Sequence, residues 1–163
     1  MLNCGAMPLS PVQFPARTPA QTAALALRLA GLLRSGDTVL LEGPVGAGKT
    51  HFARALIQAW LGRAEDVPSP SFTLVQTYAR GDEMLWHSDL YRLSSPQEID
   101  ELGLFEAFES AICLVEWPDR LGAETPPRHL RITLAQGTKD DLRDITLTPK
   151  GDWAHIAVAL RDD

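Results

Sequence analysis

Val39-Leu40-Leu41-Glu42-Gly43-Pro44-Val45-Gly46-Ala47-Gly48-Lys49-Thr50 is the stretch that decides the fold. An apolar run enters the pattern Gly43-x-x-x-x-Gly48-Lys49-Thr50, and a segment with Phe52, Leu56 and Ala59 or Trp60 at helical spacing leaves it. Strand, glycine-rich loop and helix, in that order, are the context in which G-x-x-x-x-G-K-[ST] reads as a phosphate-binding loop and not as a chance turn. The glycines let the loop curl so that successive backbone N–H groups point at phosphate oxygens. A helix opening near Gly48 brings its positive dipole end to the same point. Lys49 reaches the β/γ-phosphates as a point charge, and the Thr50 hydroxyl is placed to ligate Mg²⁺. The loop therefore predicts a nucleoside triphosphate. What that triphosphate drives has to be read from the rest of the chain.

Outward from the loop, Thr38–Glu42 is apolar without alternation, as a central parallel strand buried on both faces should be. Upstream, Thr18-Pro19-Ala20-Gln21 reads as a helix start, with Thr18 as cap, Pro19 first in the helix and Gln21 closing the capping box; the helix is expected to run to about Arg34. Residues 1–17, with Pro8, Pro11 and Pro15, read as a partly flexible leader with an edge strand around 12–14. Downstream, the helix after the loop stops at Gly62, and a proline-bearing loop follows. Residues 72–78 and 84–90 are expected to form a β-hairpin, rich in β-forming residues. Ser95-Pro96-Gln97-Glu98 opens another helix that Gly103 breaks, with a further helical turn or two over 104–109. Residues 111–115 read as a buried strand, 129–135 and 142–147 as two more strands, and 153–160 as a short last helix. The order predicts a P-loop NTPase three-layer α/β sandwich with a mixed, mainly parallel central sheet, as a single domain over 18–163.

With 163 residues the chain has the length of one domain and can bury a sizeable core. Its net charge of −6 argues against a protein that grips nucleic acid by itself, because that affinity comes largely from Lys and Arg on phosphates. Two cysteines, Cys4 and Cys113, exclude a disulfide framework, and Cys113 sits inside an apolar run as a buried thiol. No stretch has the length of a membrane span, and no basic-then-apolar signal segment opens the chain, so the expected compartment is the cytoplasm.

A phosphate loop needs a further acidic group to hold Mg²⁺ or orient water, and such groups sit at the C-terminal ends of neighbouring strands. Glu116, an acid after an apolar run and before Pro118, fits best. Asp89, within His87-Ser88-Asp89-Leu90-Tyr91-Arg92, is the second candidate. Its competing role is a polar strand end paired with Arg92, and His87 reads more readily as a satisfied structural histidine than as a functional one. Ser69-Pro70-Ser71-Phe72-Thr73 either lines the nucleotide or a partner site or is a strand-entry loop, and Trp117 is either a packing aromatic or a stacking platform.

Taken together, Gln21-Thr22, Gly46-Ala47-Gly48-Lys49-Thr50, Ser69-Pro70-Ser71-Phe72-Thr73-Leu74-Val75, His87-Ser88-Asp89-Leu90-Tyr91-Arg92-Leu93, Glu101-Leu102-Gly103 and Leu114-Val115-Glu116-Trp117-Pro118 resemble the TsaE family of small ATPases of bacterial tRNA threonylcarbamoyladenosine synthesis. The Asp-Leu-Tyr-Arg-Leu and Val-Glu-Trp-Pro blocks behind a phosphate loop are specific, whereas the loop alone is shared by many functions. The resemblance implies that Gly43, Val45, Gly46, Ala47, Gly48, Lys49 and Thr50, with Thr22 and Trp117, contact ATP. It implies Mg²⁺ on Thr50 and Glu116, and catalytic roles for Asp89, Glu116 and Lys49. The implied partner is the protein complex of the threonylcarbamoyl transferase and its paralogous subunit, with tRNA reached indirectly through that complex and no membrane involved. Pro44, His51 and Ser71 depart from the usual pattern, and none is one of the four implied site residues Lys49, Thr50, Asp89 and Glu116.

Three readings follow. The first is ATP hydrolysis that resets a tRNA-modifying complex between turnovers, weak in the isolated chain and stimulated by the partners. The second is a small-molecule kinase of the phosphate-loop class, which would need an arginine-bearing lid; Arg80, Arg92 and Arg120 are scattered along the chain. The third is a nucleotide-dependent binding module in which hydrolysis does not matter.

Overall fold

Strand β2 (Thr38–Glu42) lies at the centre of the sheet, with Val39, Leu40 and Leu41 fully inaccessible. The structure, a computed structural model, describes residues 11–16, 18–44, 48–136 and 143–156. Among these, seven strands form one sheet in the order β1-β7-β6-β2-β5-β4-β3. β2 pairs in parallel with β5 (Ile112–Glu116) on one side and β6 (His129–Gln136) on the other. Beyond β5 lies β4 (Glu83–Asp89), also parallel, and then β3 (Val75–Arg80), antiparallel as a hairpin partner must be. Beyond β6 lies β7 (Arg143–Lys150), antiparallel, and then β1 (Val12–Ala16), antiparallel to β7. Two reversals cancel, so β1, β6, β2, β5 and β4 all point one way and the sheet is mixed but mainly parallel, as the sequence predicts.

Alternation across the pleat splits the core into two clusters, one on each face. Val39, Leu41, Ile112 and Leu114 pack beneath α1 (Pro19–Ala30) and α2 (Lys49–Leu61), against Leu25, Leu29, Phe52, Leu56 and Trp60. Leu40, Cys113 and Val115 face the other way, toward α3 (Pro96–Glu101), α4 (Leu104–Ser110) and Leu121 of the 3-10 segment Pro118–Glu124. Helices, sheet and helices make the expected three layers. Burying a leucine on either face contributes about 1.5–3 kcal/mol, which is why β5 runs Ile112-Cys113-Leu114-Val115 without a polar side chain until Glu116.

Helix boundaries follow the caps. Thr18 and Gln21 form the capping box, with both hydrogen bonds at 3.1 Å. α1 ends at Ala30 with Gly31 as its cap, a few residues earlier than its apolar spacing suggests, because Leu32 and Leu33 turn back onto the Leu29 carbonyl.

Three expectations are corrected. The strand predicted over 72–78 begins only at Val75 and extends to Arg80. A tight turn precedes it, closed by Leu74 N–H donating to the Pro70 carbonyl at 2.7 Å, with Leu74 itself at φ 68°. The aromatic and β-branched residues suggested extended chain, but Pro70 and the tertiary anchor from Asp89 N–H to the Leu74 carbonyl (3.0 Å) impose a turn. The hairpin turn is accordingly just Gly81-Asp82, with Gly81 at φ 61°. The segment read as a leader contributes β1: the edge strand expected around 12–14 is there and is longer, Val12–Ala16, paired with β7. Residues 1–10 and 17 lie outside the described part, as do 157–160 of the expected last helix, of which 154–156 are helical. The strand expected to end at residue 147 continues to Lys150.

Candidate active site

Parallel pairing brings three strand ends to one edge of the sheet. Leu41 of β2 is in register with Glu116 of β5, and Glu116 with Asp89 of β4. The strand-end acids Glu116 and Asp89 therefore emerge side by side at this edge, with Glu42 one residue beyond Leu41 at the end of β2. α2 starts at this edge. Its N-cap, Gly48, has φ 96°, a left-handed conformation that a side chain would strain, and no side chain caps the helix. Uncapped by any side chain among the described residues, this helix start presents first-turn N–H groups and the positive end of the helix dipole at the edge.

Lys49 and Thr50 open α2 and point into the same space. The Thr50 hydroxyl donates to Glu116 Oε1 at 3.2 Å. The second carboxylate oxygen, Oε2, accepts a 2.7 Å hydrogen bond from His87 Nε2, and both His87 and Glu116 are buried. Asp89 is held from two sides: Tyr91 N–H donates to Oδ1 at 3.0 Å and the Ser71 hydroxyl to Oδ2 at 3.4 Å, while Ser71 shares a 2.7 Å bond with Ser69. Lys49 Nζ donates to the Gly43 carbonyl and lies 3.8 Å from the centroid of the Trp117 ring, which in turn meets Tyr91 at 4.9 Å. Trp117 sits at φ 57°, an uncommon conformation for a non-glycine residue and one that turns its indole over the lysine. Burial pushes the Lys49 ammonium below its ordinary range, against Glu116, Asp89 and Asp119, which pull it up.

These side chains surround a cavity of about 470 Å³ lined by Gly48, Lys49, Thr50, Ser71, Asp89 and Glu116, with His51, Tyr91, Arg92 and Trp117 completing it. Its size and its few convergent polar groups suit a small ligand. A cation, two carboxylates and a hydroxyl at a helix start suit a polyanion carried with a hard divalent metal.

A profile of the family described as "Threonylcarbamoyl adenosine biosynthesis protein TsaE" matches residues 16–145. The chain belongs to the TsaE family. Among relatives, the tRNA threonylcarbamoyladenosine biosynthesis protein TsaE of Rickettsia felis is 41% identical over 114 residues, covering 70% of this chain and 67% of that protein. Its counterpart in Bacillus subtilis strain 168 is 38% identical over 134 residues, 82% of each chain. The crystal structure of YdiB from Bacillus subtilis superposes with a TM-score of 0.75 at 27% identity, covering 96% of both chains. The family expected from the motifs is thus the family found, and the fold is that of a P-loop ATPase-type protein.

Of the residues implied by the TsaE resemblance, Gly48, Lys49, Thr50, Asp89, Glu116 and Trp117 come together around the cavity. Gly43 stands beside it through its carbonyl, while Val45, Gly46 and Ala47 lie outside the described residues. Thr22 does not line the cavity: it is buried in α1, its hydroxyl turned back to the Thr18 carbonyl at 3.5 Å. Arg92 stacks 4.7 Å from the centroid of Phe72, and Asp89 takes its partners from Ser71 and Tyr91. His87 is the residue whose place the sequence reading missed. The signal available was period two: on one strand His87 and Asp89 share a face, so a histidine two residues before a site acid lies on the site's side of the sheet. Among the described residues no helix is long and apolar enough to cross a membrane.

Proposed function

We propose that this chain binds ATP with Mg²⁺ and hydrolyses it, and that hydrolysis acts on the protein complex that transfers threonylcarbamoyl to tRNA, allowing that complex to turn over repeatedly. One observation carries the reading. The hydroxyl that opens the helix after a phosphate-loop motif meets a buried strand-end carboxylate at 3.2 Å, with a second carboxylate on the adjacent strand.

The donor set fits Mg²⁺: Thr50 Oγ1 and Glu116 Oε1 are hard oxygens already within reach of one another and would hold the ion. When bound, the ion neutralises charge on the β- and γ-phosphates. Lys49 adds a second positive charge there. Asp89, fixed by Ser71 and the Tyr91 N–H, is oriented to hold the attacking water and take up its proton. The loop's N–H groups and the start of α2 bind the phosphates. Arg92, the arginine that lines the cavity among the described residues, is stacked on Phe72, and slow turnover alone is expected.

Family membership supports the tRNA part, since the relatives carry threonylcarbamoyladenosine biosynthesis in their names. The net charge of −6 supports docking on proteins, with tRNA contacted by them. Phosphate release from ATP, measured with the chain alone and with the purified transferase complex added, tests the proposal. A slow rate that rises with the complex is expected. Equal rates in the two mixtures would overturn partner stimulation, and no phosphate release in either would overturn hydrolysis.

A further inference from the structure

Glu116 is gripped at both oxygens, and the two grips differ in kind. Oε1 faces Thr50 and the cavity; Oε2 faces His87, which is wholly buried on β4 and does not line the cavity. The contact at Oε2 is short, 2.7 Å. A carboxylate accepts, so Nε2 carries the proton and donates. The other ring nitrogen, Nδ1, is buried with no hydrogen-bond partner among the described residues. Leaving a buried polar atom unpaired costs free energy that an aliphatic residue in the same place would avoid. A histidine here is therefore poorly explained by packing, and among the described residues its side chain's polar contact is with the carboxylate.

We propose that His87 is a positioning residue for the metal-binding carboxylate: it anchors Oε2 so that Glu116 presents Oε1 alone, at a fixed angle, to the cation beside Thr50. This rests on the reading of Glu116 as a Mg²⁺ ligand. The physical reason is geometric. Mg²⁺ demands near-ideal octahedral geometry and is served by a single carboxylate oxygen, while an unanchored carboxylate rotates about its last bond and offers either or both. A hydrogen bond behind a ligand fixes that rotation, and loss of such a partner typically costs metal affinity. Strand pairing supplies the rigidity. His87 stands opposite Leu114 and Asp89 opposite Glu116 in the β4–β5 register, so the histidine and the carboxylate are carried by two paired core strands and not by loops.

The test uses Mn²⁺ as the probe, its binding followed by electron paramagnetic resonance on the full chain with a non-hydrolysable ATP analogue at saturation. His87→Ala should weaken Mn²⁺ binding by roughly 10–100-fold and leave analogue affinity without metal unchanged. His87→Gln, whose terminal amide N–H can reach where Nε2 stands, should recover most of the loss. Unchanged Mn²⁺ affinity in a folded His87→Ala protein, or a Gln variant no better than Ala, overturns the inference. Glu116→Gln separates the two layers: if it leaves Mn²⁺ affinity intact, the reading of Glu116 as a ligand fails and the inference with it. If it weakens binding while His87→Ala does not, only the role of His87 fails. Should His87→Ala not fold, ¹⁵N resonances of the wild-type imidazole decide: a proton on Nε2 is expected, and its absence overturns the assignment.

Discussion

The Thr50 hydroxyl and the Glu116 carboxylate meet at 3.2 Å although 66 residues separate them in the chain. α2 supplies one and β5 the other, a half-buried hydroxyl and a buried carboxylate at the sheet edge where β2, β4 and β5 end. The two residues are too far apart in sequence to be a local capping pair, so it is the fold that brings them together.

Thr50→Val keeps the shape of the side chain and removes its oxygen. If Thr50 holds the metal, losing that ligand should remove several kcal/mol of transition-state stabilisation, a fall of roughly 100-fold or more in ATP hydrolysis. The variant should remain folded, since the valine fills the same volume at the first turn of α2. Steady-state phosphate release, paired with a thermal melt, measures both; an active Thr50→Val would remove the hydroxyl from the account.

Lys49 rests over the Trp117 ring at 3.8 Å, a contact worth roughly 0.5–2 kcal/mol depending on how well water is excluded. Phosphates arriving at the loop compete for the same ammonium. Trp117 emission should therefore shift on addition of Mg·ATP, and the shift should vanish in Trp117→Phe, which leaves the other tryptophans in place. A shift of equal size in Trp117→Phe would place the response at another tryptophan.

Cys113 lies in β5 on the face packed against α3 and α4, and burial pushes its thiol up to about 12 from an ordinary 9.0. The folded state keeps that proton when the unfolded chain has lost it. The contribution to stability is thus complete below pH 9 and is lost as pH rises from about 9 toward about 12. Urea unfolding across that range should show the decline, and it should be smaller in Cys113→Ala. In a Cys4→Ser background, thiol reagent at neutral pH should label Cys113 only as fast as the protein unfolds.

Much of this was legible in the sequence because the signals were local. The apolar run into the glycine loop placed β2 and α2, and Thr18 with Gln21 placed the start of α1, each through chemistry within a few residues. The acids Glu116 and Asp89 were legible through a sheet rule, since parallel strands end at one edge and the site must lie there. What escaped depends on pairing. Leu74 has strand-like neighbours yet adopts φ 68°, because the Asp89 N–H and the Pro70 carbonyl hold it in a turn. The partner of His87 could not be named until β4 and β5 were known to lie side by side in their register. Thr22, implied at the nucleotide by resemblance, instead turns its hydroxyl into its own helix.

The central claim is that ATP hydrolysis at Lys49, Thr50, Asp89 and Glu116 lets the threonylcarbamoyl-transferring complex act many times. The most direct measurement is tRNA threonylcarbamoyladenosine formed per complex over time, with tRNA in large excess and this chain added as wild type or Lys49→Ala. The account predicts repeated turnover with wild type and a halt near one product per complex with Lys49→Ala. Equal multiple-turnover yields with both proteins would contradict it.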